Sequence, residues 1–197
     1  MKKSFEEEYK KEKFYLGIEP HQIVETALDY VKSGRALDLG VGEGRDAVFL
    51  AKKGFDVTGL DISETGIRHF LELAKKEKVN VTGTVEDIAK FEFEENYDLL
   101  ISLSTFQFIE RKEILKVIAR MKEHTKEAGI NVITAFNEDN PYKEFAYLFK
   151  KNELKDFYSG WEILEYKEEI TPLEKHGKDE RPHRHGITSI IARKPKK

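Results

Sequence analysis

Residues 35–63 constrain the fold more than any other part of the chain, and they read RALDLGVGEGRDAVFLAKKGFDVTGLDIS. Residues 35–39 are short and mostly apolar, which is typical of a strand buried on both faces. Three glycines follow, and residues 45–53 then carry apolar positions at helical spacing. Residues 55–60 predict a second strand, which Asp61 closes. The pattern predicts a strand–turn–helix–strand unit of an α/β sheet.

The turn between the first strand and the helix carries Gly40, Gly42 and Gly44. Glycine has no Cβ, so the backbone can turn sharply and a ligand can approach the main chain. The helix N-terminus beyond this turn adds N–H donors and a positive dipole end. Two acids flank the glycines: Asp38 precedes them, and Asp61 lies where a carboxylate can accept hydrogen bonds from two ribose hydroxyls. The unit therefore predicts nucleotide binding, with helix capping or turn formation as the alternative role of the acids.

The spacing of the glycines distinguishes two classes of nucleotide cofactor. A dinucleotide-binding turn has the pattern G-x-G-x-x-G. Here every second residue is glycine, and Arg45 occupies the position of the third dinucleotide glycine. This departure argues against a nicotinamide-dependent oxidoreductase, which is kept as the alternative interpretation.

The motif D-x-G-x-G-x-G after an apolar strand, with an acid ending the second strand, resembles the class I S-adenosylmethionine (SAM) methyltransferases. The resemblance implies that the glycines lie against the methionine part of SAM and that Asp61 binds the ribose hydroxyls. It also implies that Asp87, after the third strand, lies beside the adenine amino group, with Ile88 against the ring. The implied cofactor-binding residues, with their neighbours at the strand ends, are Tyr15, Asp38, Gly40, Gly42, Gly44, Arg45, Asp61, Ile62, Glu86, Asp87, Ile88, Ser102, Leu103 and Ser104.

Strand and helix patterns alternate along the rest of the chain. They predict a Rossmann-like, seven-stranded, mainly parallel sheet with an antiparallel last strand and helices on both faces. The 197 residues contain no repeat, low-complexity tract or linker, so we expect one domain. Its expected parts are a helical cover (1–33), a cofactor-binding core (34–136) and a substrate-side part (137–197). Further predicted elements are helices after Ser63 and at 111–121 and 151–158, and strands at 79–84, 97–103, 130–136 (after an Ala128-Gly129 turn), 160–170 and 186–193.

The composition restricts the classes of partner. A net charge of −3 gives no bulk attraction to nucleic acid or to membranes, and no apolar run approaches membrane-spanning length. The N-terminus is charged where a signal peptide would need an apolar segment. The chain has no cysteine, which excludes disulfides, thiolate metal sites and thiol nucleophiles. We therefore expect a cytoplasmic protein that acts on a small molecule; the sequence makes no prediction of oligomeric state.

A loop rich in histidine and arginine separates the last two predicted strands. Together with the segment around Tyr15, the run KNELKDFYSGWEI and a last strand ending in Ala-Arg-Lys, this loop resembles the tellurite-resistance (TehB-type) methyltransferases from about Phe14 onward. The resemblance implies that the N-terminal segment crosses the cofactor pocket with Tyr15 and His21 toward it, although Tyr15 could equally be an aromatic anchor. It also implies that the C-terminal loop lies over the methyl group. The catalytic residues implied are His183, Arg184 and His185.

Methyl transfer is an in-line displacement at a sulfonium carbon, which is mainly a positioning task. Arg184 could hold an oxyanion bidentately, and a histidine could take up a proton near neutral pH. The resemblance implies a chalcogen oxyanion (tellurite or selenite) as acceptor, and a thiol is the alternative because a soft, polarisable nucleophile needs little help from a base. We predict no resident metal, but a site formed by His176, His183 and His185 is an alternative. The loop could also be a solvated crossover, as in a SAM-binding protein without catalysis.

Overall fold

The computed structural model describes residues 5–175 and 181–196. Its helices are α1 (Glu6–Lys11), α2 (Gln22–Ala27), α3 (Arg45–Lys52), α4 (Glu64–Glu77), α5 (Arg111–Glu123) and α6 (Glu153–Phe157), with a 3-10 helix at Phe106–Phe108. Its strands are β1 (Gly34–Leu39), β2 (Phe55–Asp61), β3 (Thr82–Val85), β4 (Tyr97–Leu103), β5 (Thr125–Phe136), β6 (Glu162–Ile170) and β7 (Gly186–Arg193).

The strands form one sheet in the order β3-β2-β1-β4-β5-β7-β6. The pairs among β1 to β5 are parallel, whereas β7 is antiparallel to both of its neighbours. The predicted Rossmann-like sheet with an antiparallel last strand is therefore confirmed. The winding of the chain reverses between β1 and β4, and ligands of such sheets bind beyond the carboxyl ends of the strands at this switch point.

Each face of the sheet has its own hydrophobic core. On one face, α5 and α6 pack on the sheet through buried side chains such as Ile118. On the other face, α2, α3 and α4 pack through side chains such as Leu50. Within β1, Leu37 and Leu39 belong to the first core and Ala36 to the second. Because both faces are covered, this strand is apolar at consecutive positions instead of alternating.

The structure corrects the predicted start of β5. We expected an Ala128-Gly129 turn before the strand, but β5 already begins at Thr125 and passes through these two residues. Ala128 has a φ of 60°, and the pairing of β5 with β4 shifts register between Tyr97 and Leu99. The dipeptide thus marks a bulge inside the strand rather than a turn in front of it.

The structure also corrects the start of β3, which begins at Thr82 and not at residue 79. Lys78 adopts a left-handed conformation with a φ of 58°, and the Val79 N–H donates to the Ala74 carbonyl (3.0 Å). Residues directly after α4 therefore close that helix. The β-branched side chains of Val79 and Val81 pack against the second core without joining the sheet ladder.

Residues 5–21 form a segment that we call the N-terminal strap. Its first anchor is Glu6 in α1, whose carboxylate accepts hydrogen bonds from Ser63 Oγ (2.5 Å), Thr65 Oγ1 (2.8 Å) and the Thr65 N–H (3.1 Å). Ser63 also caps α4 by accepting the Gly66 N–H (2.9 Å). One carboxylate thereby joins α1 to the N-terminus of α4, where a negative charge is favourable.

The anchor at Glu6 predicts a defined pH dependence of stability. The hydrogen bond from Ser63 is the main reason why the pKa of Glu6 falls from 4.5 to about 2. A carboxylate with a lowered folded-state pKa stabilises the fold above its unfolded pKa and loses this contribution as the pH falls through the folded value. We expect wild type and Glu6→Gln to differ by a constant free energy of unfolding above about pH 4.5, with the difference shrinking toward pH 2.

Urea denaturation of both proteins across this pH range measures the difference. Glu7→Gln is the matched control, because Glu7 is in the same helix but its side chain is 69% exposed. A difference between wild type and Glu6→Gln that stays constant down to pH 2 would contradict the assigned anchor.

Candidate cofactor and acceptor site

A cavity of about 410 Å³ opens at the carboxyl ends of β1 and β4. Its walls come from the turn after β1, the ends of β2 and β3, the 3-10 helix after β4, the N-terminal strap and the segment before β7. The fold thus brings together segments that are far apart in the sequence. The predicted site residues that line the cavity are Tyr15, Asp38, Gly40, Gly42, Gly44, Arg45, Asp61, Ile62, Glu86, Asp87, Ile88, Leu103, Ser104, His183 and His185.

Ser102 and Arg184 are predicted site residues that do not line the cavity. Ser102 is fully buried and donates to the Leu39 carbonyl (3.0 Å), so it joins β4 to β1 within the sheet. Arg184 is exposed, whereas both of its histidine neighbours face the cavity. Successive side chains of an extended segment point to opposite sides, which explains why His183 and His185 face inward together and Arg184 outward.

The glycine turn, formed by Gly40, Gly42 and Gly44, requires glycine for two reasons. These residues have φ angles of 91°, 55° and 87°, which side chains with a Cβ rarely adopt. In addition, a Cβ on Gly40 would overlap the Thr105 side chain, and a Cβ on Gly44 would overlap the buried Phe70 ring. The turn can therefore pack its backbone directly against α4 and the loop after β4.

Asp61 closes β2 and holds the glycine turn. Its Oδ2 accepts the Gly42 N–H (2.9 Å) and its Oδ1 accepts the Ser63 N–H (2.8 Å). Burial raises the pKa of Asp61, although these backbone donors favour the charged form. A carboxylate oxygen accepts more than one hydrogen bond, so both oxygens retain capacity for a ligand diol.

The wall of the cavity is strongly acidic. The acids that line it are Glu8, Asp38, Glu43, Asp46, Asp61, Glu86, Asp87 and Glu174, and the only lysine or arginine among the described lining residues is Arg45. Burial raises the pKa of Asp38 well above its ordinary value, and the charges of Asp46 and Asp61 add to this effect. Such a wall favours a ligand that carries positive charge and disfavours a pyrophosphate.

Glu43 ties the N-terminal strap across the glycine turn. Its buried carboxylate accepts the backbone N–H groups of Phe14 (2.6 Å) and Tyr15 (2.7 Å). It also lies 2.7 Å from the ring Nδ1 of His69 in α4. One acid of the turn thereby joins the strap, the turn and a helix.

Asp46 makes a second connection between the strap and the turn. It accepts the backbone N–H of His21 (2.7 Å), and its other oxygen lies 2.7 Å from His21 Nδ1. Arg45 donates to the Leu16 carbonyl (2.9 Å) and contacts the Nε2 atom of His21. The strap is thus attached to the start of α3 by the side chains of the first two residues of that helix.

A row of rings forms the side of the cavity next to the last strand pair; we call it the aromatic wall. Its members are Phe108, Phe136, Phe145, His183 and His185, and all of them line the cavity. Phe145 packs edge-on against Phe108 (5.7 Å) and Phe136 (4.8 Å), measured between centroids. His185 stacks on Phe136 at 4.4 Å with an interplanar angle of 13°, and His183 meets His185 edge-on at 4.8 Å.

The metal site considered for His176, His183 and His185 can be described only in part, because His176 lies outside the described residues. Within residues 5–175 and 181–196, no group of three or more His, Asp or Glu side chains is arranged to hold a metal ion. The Nδ1 atom of His183 lies 2.9 Å from the Arg181 carbonyl, which requires this nitrogen to donate.

Glu43, Asp46 and Gln107 also line the cavity, although the sequence did not predict them as site residues. Glu43 occupies a variable position of the glycine motif and Asp46 follows the motif by two residues, so the available signal is an acid close to glycines that turn toward a ligand. Gln107 is the one polar residue in the run FQFI at positions 106–109, and this break in an apolar run is its available signal. The bonds that Glu43 and Asp46 make with distant segments have no local pattern in the sequence.

The sequence profile of the family described as "Tellurite resistance protein TehB" matches residues 3–188. The chain belongs to this family. A probable S-adenosyl-L-methionine-dependent methyltransferase TehB from Haemophilus influenzae is 35% identical over 177 residues, which cover 88% of this chain and 62% of the relative. The crystal structure of TehB from Haemophilus influenzae superposes with a TM-score of 0.81 at 35% identity and the same coverage. The chain thus spans 62% of the length of these relatives.

More distant structures share the fold. The N-methyltransferase NodS from Bradyrhizobium japonicum, in complex with S-adenosyl-L-homocysteine (SAH), gives a TM-score of 0.71 at 14% identity and covers 89% of this chain and 85% of NodS. The predicted family and fold class are both confirmed by these comparisons. In the part of the chain that the structure describes, no helix is both long and apolar enough to cross a membrane.

Proposed function

We propose that this chain is a SAM-dependent methyltransferase that acts on a small molecule. The observation that carries the proposal is the acidic cavity wall around the glycine turn. SAM carries a sulfonium and an ammonium group against one carboxylate, whereas NAD carries an anionic pyrophosphate. The wall fits the first ligand and repels the second. The similarity to the TehB methyltransferase of Haemophilus influenzae supports the same conclusion.

The residues of the cavity fit the parts of SAM. We assign the ribose hydroxyls to Asp61, the ammonium group to Asp38 and the carboxylate group to Arg45. The adenine amino group is assigned to Asp87, with Ile88 against the ring. The remaining predicted residues that complete this part of the wall are Tyr15, Gly40, Gly42, Gly44, Ile62, Glu86, Leu103 and Ser104.

We assign the acceptor to the aromatic wall. SAM supplies an electrophilic methyl group on sulfur. The chain must hold a nucleophile in line with the carbon–sulfur bond and receive the proton that this nucleophile loses. His183 and His185 face the cavity and can do both, whereas Arg184 faces solvent. We propose a chalcogen oxyanion (tellurite or selenite) or a thiol as acceptor. We further propose one domain, in which residues 1–33 cover a cofactor-binding core (34–136) and residues 137–197 form the acceptor side.

Calorimetric titration with SAH, beside NAD under the same conditions, tests the cofactor. We expect SAH to bind with micromolar affinity and NAD not to bind. Binding of NAD alone would mean that the glycine turn serves a dinucleotide. Binding of neither ligand would contradict the proposed function as a whole.

His183 and His185 face the cavity, whereas Arg184 faces solvent. We therefore expect substitutions at these neighbouring positions to affect kcat/KM differently. We expect His185→Ala to lower kcat/KM by at least about tenfold because a cavity-facing proton acceptor is lost. We expect Arg184→Ala to leave kcat/KM within about twofold of wild type because the side chain points to solvent. Transfer of labelled methyl groups to selenite and to 2-mercaptoethanol measures both, and SAH titration shows that the cofactor site is intact. A larger loss in Arg184→Ala than in His185→Ala would reverse the assignment.

A further inference from the structure

Gln107 carries a buried hydrogen-bond acceptor that has no partner. Its side-chain Oε1 makes no hydrogen bond to any described residue, and the residue is 1% exposed. Gln107 nevertheless lines the cavity. Buried polar atoms in folded proteins are almost always paired, and an unpaired one destabilises the fold. On a residue that lines a ligand cavity, such an unpaired acceptor can be completed by a donor on the ligand.

The orientation of the Gln107 amide is fixed by its other end. Nε2 donates to the Ser104 carbonyl (2.7 Å). Exchanging the two amide atoms would bring two oxygen acceptors to the same distance, so the amide cannot turn over. The backbone carbonyl of Gln107 accepts the Ala146 N–H (2.9 Å), which attaches this residue to the segment between β5 and α6. Oε1 is therefore a preorganised acceptor and not a freely rotating group.

The surroundings indicate which ligand part meets this acceptor. The 3-10 helix that carries Gln107 also carries Phe108, the first ring of the aromatic wall. This side of the cavity therefore combines a hydrogen-bond acceptor with apolar ring faces. Such a surface suits an uncharged molecule with a soft, apolar body and one hydrogen-bond donor. A fully deprotonated oxyanion has no donor and would present oxygen to oxygen.

On the basis of the proposed function, we propose that Gln107 determines acceptor specificity. Its Oε1 atom accepts a hydrogen bond from an O–H or N–H group of the methyl acceptor. The class of acceptor that fits is a neutral organic thiol that carries a hydroxyl or amide N–H beside its sulfur. The sulfur lone pair forms the new bond to the methyl carbon, the carbon–sulfonium bond breaks, and the thiol proton leaves to a base.

Two thiols of equal size test this proposal. 2-Mercaptoethanol and 1-propanethiol have the same number of heavy atoms, but only the first carries a hydroxyl. We expect the ratio of their kcat/KM values to be about tenfold higher in wild type than in Gln107→Met, since one hydrogen bond is lost. The change should appear mainly in KM. Methionine keeps the length of glutamine but has no amide, and SAH affinity should stay within about twofold of wild type.

Each other outcome contradicts a defined part of the inference. If the ratio of kcat/KM for 2-mercaptoethanol to kcat/KM for 1-propanethiol were equal in wild type and Gln107→Met, the proposed role of Gln107 would be overturned. A loss of SAH affinity of about tenfold in Gln107→Met would mean that the amide binds the cofactor. Failure of wild type to methylate either thiol while it binds SAH would overturn the assigned acceptor class. Failure of wild type to bind SAH would instead contradict the proposed function.

A stability measurement that needs no turnover separates a ligand role from a structural one. Gln107→Met removes the unpaired acceptor, so we expect the Tm of the ligand-free protein to stay equal or to rise by about 2–4 °C. A fall of more than about 5 °C would mean that the amide serves the fold through its bond to Ser104, and this would overturn the proposal.

Discussion

Replacing Asp61 with alanine should weaken SAH binding by at least about a hundredfold. The proposed ribose contacts are two hydrogen bonds to a charged acceptor, each worth about 1.5–3 kcal/mol. The substitution also removes the bond to the Gly42 N–H (2.9 Å) and so releases the glycine turn. Asp61→Asn keeps one oxygen acceptor and should give an intermediate loss. Calorimetric titration of both variants measures the effect.

Asp56→Ala is the matched control for this experiment. Asp56 belongs to the same strand, but its side chain is 80% exposed and does not line the cavity. We expect its SAH affinity to equal that of wild type. Unchanged affinity in Asp61→Ala would show that this carboxylate does not hold the ribose, and the cofactor assignment would have to be rebuilt.

Replacing Gly44 with alanine should lower the free energy of unfolding by about 3 kcal/mol. The left-handed conformation of this residue (φ 87°) costs about 1–2 kcal/mol for a residue with a Cβ. The new methyl group would also overlap the ring of Phe70, which is fully buried, and overpacking costs about 1–3 kcal/mol. Urea denaturation measures the loss.

Gly54→Ala separates these two causes. Gly54 has a similar φ of 94°, but a Cβ there would meet no described atom within 4 Å. We therefore expect the free energy of unfolding to fall by only about 1 kcal/mol. This value is small because alanine restricts the unfolded chain, which offsets part of the cost of the left-handed conformation. Equal losses in both variants would mean that the packing against Phe70 adds nothing to the requirement for glycine.

The parts of the fold that the sequence predicted well are those with a local physical signature. β4 and β7 have the predicted bounds, because buried apolar runs ended by polar residues or glycine are unambiguous. The unit around the glycine turn was also predicted correctly. Its helix begins at Arg45, directly after Gly44, because glycine can adopt the left-handed conformation that ends the turn before the helix.

The parts that the sequence could not predict depend on tertiary contacts. The Ala128-Gly129 pair has turn composition, but pairing with β4 and β7 keeps it inside a strand. Arg184 has the chemistry of an oxyanion ligand, but the register of the extended segment turns it to solvent. The partners of Glu43 lie 26 or more residues away in the chain, so no local pattern indicates them.

The attachment of the N-terminal strap has a kinetic consequence. The strap supplies Phe5, Tyr9, Tyr15 and other residues to the cavity wall, and it is held by Glu43 of the glycine turn and by Asp46 at the start of α3. Under the proposed function SAH lies against this segment, so we expect the hydrogen bonds that hold the strap to slow its release and thereby to affect residence time and product inhibition. Loosening these hydrogen bonds would shorten the residence of SAH while also weakening the hold on SAM.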